Sequence, residues 1–366
     1  MASAVLESAE TKTDPEKKLA IIDTDVHNVV NGPGTITKYL AKSWHDHHLT
    51  VGARTRLGQT YPRAVPFAAR DDSYPAPGVR PGSDLPFMQE QLLDEYDLDY
   101  GILNCLYPAA GQSNLEYGAA VARAINDWQV AEWIEPEPRL KASLVVAYED
   151  ADLAVEEIER FGDHPGFVQL MFLTRTMEPL GRRKYWKIYE AALKYDLKIA
   201  IHFGGLSIGP ITGAGKPSHY IEDHAGMSQG FQAQVASYVY EGVFERFPEL
   251  QVVLIEGGFA WLPSLMWRMD SAYKKLKVEV PQLKRLPSEI VRDHFWVSTQ
   301  PMEEPPKDAF FAQMLAHMDM DDKIMFATDY PHWDFDSPYM AIPPCVGKDL
   351  KRDIMSENAR ALYGLA

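Results

Sequence analysis

Short apolar runs rich in β-branched residues alternate with longer segments of helical periodicity along most of the chain. The runs lie at 19–22, 100–106, 140–146, 167–173, 197–201, 252–255, 295–297 and 324–327. They are apolar throughout, the pattern of parallel strands covered on both faces. Helical spacing fills most of the intervals. Residues 118–133 set Val121, Ile125 and Trp128 on one face, and 151–161 do the same with Leu153, Ile158 and Phe161 behind Asp150, a suitable N-cap. The segments 184–195, 231–247, 261–276, 308–318 and 349–365 continue the series, with 35–44 a weaker first member. Strand then helix, eight times over, predicts an α/β fold. Eight parallel strands close a barrel, so the expected architecture is a (β/α)8 TIM barrel.

Three intervals are long: 43–92, 203–230 and 329–348. Each follows a strand, which places it at the C-terminal mouth of a barrel, where such folds carry their active sites. Residues 1–18 are polar and read as a disordered N-terminal leader, leaving 19–366 as one barrel domain. The length of 366 residues alone also allows two or three domains.

Charge and composition narrow the function. With 36 Lys+Arg against 52 Asp+Glu the formal charge is −16, which argues against a nucleic-acid partner, since affinity for phosphates comes from basic residues. No window approaches the roughly 18 apolar residues of a membrane span, and the N-terminus lacks a signal-peptide pattern. With two cysteines, Cys105 and Cys345, no disulfide framework is expected, and a cytoplasmic location follows as the default. There is no Walker-A loop, no GxGxxG after a strand and no GxSxG elbow.

Four polar residues stand at strand ends. Asp25 and His27 follow the first run, two apart and hence on one face; His202 ends the fifth and Asp329 the eighth. In a closed barrel strands one and eight are neighbours, with strand five across from them, so the four converge above the axis. Two imidazoles and two carboxylates suit zinc, manganese or iron, and the carboxylates neutralise a divalent charge.

The motifs DTDVH (23–27), AINDWQVAEW (124–133), AIHFGG (200–205), FERFPELQVVLIEGGFAWLP (244–263), FATDYPHWD (326–334) and SENARALYGL (356–365) together resemble the amidohydrolase superfamily, in particular its amidohydrolase-2 branch, which includes the aminocarboxymuconate-semialdehyde decarboxylase family and related aromatic-acid decarboxylases. The resemblance implies that Asp25, His27, His202 and Asp329 hold a divalent metal, usually zinc. Two departures matter. Many members carry His-x-His on strand one, whereas Asp25-Val26-His27 is richer in oxygen and shifts the preference somewhat from zinc toward manganese or iron, with zinc still the first expectation. The decarboxylases carry His-Gly-Gly after strand six, whereas this chain has Glu256-Gly257-Gly258. Glu256 is then a general base, a metal ligand, a partner orienting a ligand histidine, or a helix cap.

His224 is the alternative acid–base group, or joins Glu256 around a second metal. Asp329 is both a ligand and a catalytic candidate, His332 a candidate substrate contact with Asp334 beside it, and His219 a weaker one. The tract 44–48, with His45, His47 and His48, lies in the long first loop with no strand to fix it. Arg54, Arg56, Arg63, Arg70 and Arg80 form a basic island there, and one or two of them suit a substrate carboxylate. The resulting expectation is a metal-dependent hydrolase or nonoxidative decarboxylase of a small organic acid, amide or ester, working as a homo-oligomer. Two alternatives remain: an iron- or manganese-dependent oxygenase with a mono- or dinuclear centre, and a structural subunit beside an active paralogue.

Overall fold

The computed structural model describes residues 19–52, 68–205, 214–215 and 217–366; the expected leader and part of the first and second long loops lie outside them. Eight strands, β1 (Ile22–Val26), β2 (Tyr100–Leu103), β3 (Leu140–Val145), β4 (Phe167–Arg175), β5 (Lys198–Gly205), β6 (Val252–Ile255), β7 (Phe295–Ser298) and β8 (Ile324–Met325), pair in sequence order. Every ladder is parallel. Thr24 N donates to Phe326 O at 3.0 Å, Asp329 N to Asp25 O at 3.0 Å and His27 N to Tyr330 O at 2.7 Å, so the chain after β8 lies along β1. The predicted (β/α)8 barrel is the observed fold.

Alternation along the strands divides the core in two. Ile199, Ile201, Val252, Leu254, Phe295, Val297 and Ile324 join the large cluster between barrel and helices. Their strand neighbours Ala200, Val253, Ile255, Trp296 and Met325 form a smaller cluster with Ala359 and Leu362 of the last helix, Asn358–Tyr363. His202 follows Ala200 by two and shares its inward face.

The first strand lies further along than its apolar run, at Ile22–Val26 rather than 19–22. Its three polar residues mask it in a hydropathy reading, yet all are buried and bonded. Asp23 accepts from Thr328 N at 2.9 Å, Thr328 Oγ1 at 2.5 Å and Asp25 N at 3.1 Å, and Thr24 Oγ1 donates to Phe326 O at 2.8 Å. Burial pushes the Asp23 carboxyl up to about 7 despite those bonds.

Helix Pro287–His294 goes unseen in the hydrophobic pattern because it is short and starts on proline, though Ile290 and Val291 are buried. Leu85–Met88, continued by a wide turn through Gln89–Asp94, structures the end of the long first loop. The histidine tract is not in irregular chain as expected. It rides on helix Lys42–Val51, where buried His48 bonds Tyr117 Oη at 2.6 Å and Pro33 O at 3.2 Å. The remaining expected segments appear with shifted ends or breaks: Asn114 caps Leu115–Gln129, 35–44 divides between Pro33–Thr37 and Lys42–Val51, 231–247 between Ser228–Tyr240 and Val243–Arg246, and the final segment into Lys348–Arg352, a wide turn and Asn358–Tyr363, while helix Tyr220–Ala225 lies in the interval expected as a loop.

Removing the Asp23 carboxylate leaves buried donors on both sides of the β1–β8 seam unpaired. Asp23→Ala is expected to lose about 3 kcal/mol of stability, read as a lower urea midpoint with an unchanged m-value.

Candidate metal centre

Each side chain predicted from the strand ends arrives at the barrel mouth. Asp25 lies within β1 and His27 just past it, His202 within β5, Glu256 just past β6 and Asp329 after β8. Asp25, His27, His202 and Asp329 are fully or almost fully buried, and each brings one ligand atom within 4.8 Å of the others. His27 Nε2 stands 2.9 Å from Asp329 Oδ1 and 3.3 Å from Asp25 Oδ1, and His202 Nε2 stands 3.5 Å from Asp25 Oδ2.

The far nitrogens of both imidazoles face backbone carbonyls, His27 Nδ1 at 2.8 Å from Asn104 O and His202 Nδ1 at 2.7 Å from Phe203 O. A carbonyl only accepts, so each Nδ1 carries a hydrogen and each ring turns its Nε2 to the centre. Asp25 Oδ2, His202 Nε2 and Asp329 Oδ2 are buried with no hydrogen-bond partner. Three orphaned donor atoms in one four-residue group fit a divalent cation, because burying them unpaired is costly.

Glu256 and Asp329 both hold left-handed backbone, with φ of 57° and 60°. For residues other than glycine this costs about 1–2 kcal/mol each, a strain typical of functional positions. Glu256 Oε2 lies 3.2 Å from His202 Nε2. Burial, then the carboxylates of Asp329, Asp25 and Asp334, push the Glu256 carboxyl well above its ordinary range. Asp329 moves the opposite way: burial raises it, but His332 and His27 together more than offset this and hold it low. For His27, burial opposes protonation, but Asp25 and Asp329 outweigh it and raise the imidazole to about 9.

The other candidates divide. His332 belongs to a second group with Glu256 and Asp329, its Nδ1 2.7 Å from Asp329 Oδ1. His224 stands outside both groups; its Nε2 bonds Asp334 Oδ2 at 2.9 Å, which raises its pKa. His219 is an exposed partner of Glu222 at 2.6 Å. Arg70 pairs with Asp72 at 2.6 Å and covers the Phe335 ring, and Arg80 donates to Val30 O at 3.2 Å. Arg54, Arg56 and Arg63 lie outside the described residues. Asn104 went unmarked in the sequence. The available signal was a polar residue directly after an apolar strand, the same signal that marks Asp25 and His202.

The family model described as "Amidohydrolase" matches residues 22–365. The chain belongs to the amidohydrolase family. Membership makes it a metal-dependent enzyme, a hydrolase or nonoxidative decarboxylase, and the buried Asp/His group supports a divalent-metal site within it. Gamma-resorcylate decarboxylase of Rhizobium sp. (strain MTP-10005) is 24% identical over 269 residues, 67% of this chain and 76% of that protein. An amidohydrolase of Mycobacterium avium subsp. paratuberculosis K-10 shares the fold with a TM-score of 0.70 at 20% identity, over 95% of this chain and 100% of the other. The dihydroxybenzoic acid decarboxylase of Polaromonas sp. JS666, solved with bound manganese and the inhibitor 2-nitroresorcinol, shares it with a TM-score of 0.66 at 20% identity, over 95% and 98% of the two chains. No helix among the described residues is long and apolar enough to cross a membrane.

His202→Ala is expected to abolish stoichiometric metal, measured by elemental analysis, while far-UV circular dichroism still reports a folded barrel. Retained metal would refute the assignment of His202 as a ligand. Proton competition has a defined sign. His27 in the metal-free protein binds a proton below about 9 and must release it to ligate. Metal affinity should therefore rise as pH rises toward about 9 and flatten above it. Calorimetry at pH 7 in buffers of different ionisation enthalpy should show release of about one proton from this imidazole per metal.

Proposed function

We propose that this family member is a nonoxidative decarboxylase of a small hydroxylated aromatic acid, with manganese as the cation favoured over zinc. The observation that carries the reading is the group of Asp25, His27, His202 and Asp329 with its three orphaned atoms. Two carboxylates and two imidazoles make a harder donor set than all-histidine sites, which favours manganese or iron. The decarboxylase relatives, one of them with bound manganese, support the same choice.

When bound, the metal supplies a Lewis acid that holds substrate oxygens and draws off negative charge. The chain's own residues do the rest. His27 and His202 are held in the ligating tautomer by Asn104 O and Phe203 O. In decarboxylation the bond between ring carbon and carboxyl carbon breaks, CO2 leaves, and its electron pair passes to the ring carbon, which takes up a proton. Glu256, buried with Oε2 3.2 Å from His202 Nε2, is the proton carrier. The His224–Asp334 pair at the mouth can restore that proton from solvent.

A second reading rests on the group of Glu256, Asp329 and His332. If Glu256 ligates a second cation, it is no proton donor, and a two-metal hydrolase or an oxygen-activating enzyme follows. The manganese-loaded protein, incubated with 2,6-dihydroxybenzoate, is expected to release CO2 and resorcinol in equal amounts without oxygen uptake. Glu256→Gln should keep one cation per chain and lower kcat by about 10²–10⁴-fold. Two cations per wild-type chain, with one lost in Glu256→Gln, or oxygen consumption with a hydroxylated product, would overturn the decarboxylase reading.

A further inference from the structure

The barrel interior is apolar along β5–β8, where Ala200, Val253, Ile255, Trp296 and Met325 meet, but polar along β2–β4. There a row of hydrogen bonds begins at half-buried Tyr363 and continues through buried side chains. Tyr363 Oη donates to Gln169 Oε1 at 2.7 Å. Gln169 Nε2 donates to Ser143 Oγ at 2.8 Å and to Asn104 Oδ1 at 3.3 Å, and Ser143 Oγ donates to Asn104 Oδ1 at 2.6 Å. Asn104 Nδ2 then donates to Asp25 Oδ1 at 2.8 Å and to Thr24 O at 3.1 Å.

An amide can present either end, so its orientation is set by its partners. Thr24 O and the Asp25 carboxylate only accept, which fixes the Asn104 amide with its NH2 toward Asp25. The hydrogens linking Tyr363, Gln169, Ser143, Asn104 and Asp25 therefore run in one direction, toward that ligand. The same residue acts again through its main chain. Asn104 O accepts from His27 Nδ1 at 2.8 Å, and Asn104 N donates to Val26 O at 2.7 Å.

We propose that Asn104, held by Ser143 and Gln169, is the positioning residue that selects which atoms Asp25 and His27 offer to the cation. With Oδ1 tied to the amide, Asp25 presents Oδ2, the oxygen that has no partner. With Nδ1 tied to the carbonyl, His27 presents Nε2. A residue that merely filled space would not need this row, since β5–β8 fill their share with apolar side chains and avoid the cost of burying polar groups. The proposal rests on the reading of Asp25 and His27 as metal ligands.

The test compares Mn2+ affinity and metal-free Tm across variants of the full chain. Asn104→Leu removes the side-chain amide but keeps the backbone carbonyl. It is expected to weaken Mn2+ binding about 10–100-fold, as loss of a ligand's hydrogen-bond partner does elsewhere, and to change the zero-field splitting in the electron paramagnetic resonance spectrum of bound Mn2+. Gln169→Met, which takes a donor from Asn104 Oδ1, should weaken binding about threefold or more, and it decides the matter if Asn104→Leu does not fold. Ile290→Ala truncates a buried side chain of helix Pro287–His294, which contributes nothing to the row, and should lower Tm while leaving affinity within about twofold of wild type. Unchanged affinity in folded Asn104→Leu or in Gln169→Met, or an equal loss in Ile290→Ala, overturns the positioning role. Wild type that binds no Mn2+, or Asp25→Ala that binds it equally well, overturns the metal reading itself.

Discussion

The hydrogen bonds between β1 and the chain after β8 join residues 302 to 305 positions apart, and the chemistry at the mouth follows from that seam. Asp23 grips Thr328 from one side, and Asp329 N returns to Asp25 O from the other. Through these contacts Asp329 reaches His27 and Asp25, which no local segment could provide. The closure entropy of so long a loop is recovered only because the whole barrel forms with it. Stability of the fold and assembly of the ligand group are thus the same event at this seam.

Negative charge is the second constraint. Asp25, Asp329 and Glu256 are buried together, with Asp334 close enough to raise Glu256 further. Such a group is unfavourable unless positive charge enters it. Imidazoles supply part, which explains the high pKa of His27 and the low one of Asp329. The atoms left unpaired mark where a cation supplies the remainder. The left-handed backbone at Glu256 and Asp329 adds strain at the same place. The surrounding barrel therefore holds these two carboxylates where their own conformational preferences would not put them.

The barrel interior is shared between two tasks. Its β5–β8 half is apolar and resembles any packed core. Its β2–β4 half carries hydrogen bonds from Tyr363 to Asp25, linking the last helix to the ligand group. The last helix thus contributes Ala359 and Leu362 to the apolar half and a phenol to the polar half.

The fold class, the number and order of strands, and Asp25, His27, His202 and Asp329 were legible in the chain itself. Apolar runs and helical spacing are local consequences of burial on two faces, and strand ends in a barrel share one mouth by topology. The first strand was misplaced because Asp23, Thr24 and Asp25 look exposed until Thr328 and Phe326 are brought beside them. Helix Lys42–Val51 around the histidine tract, the pairing of His224 with Asp334 rather than with Glu256, and the grip of Asn104 on two ligands were decided by tertiary structure alone. Each depends on partners far away in sequence. Composition and periodicity report how a residue meets its neighbours along the chain, and the atom a buried polar group offers is set by neighbours across the fold.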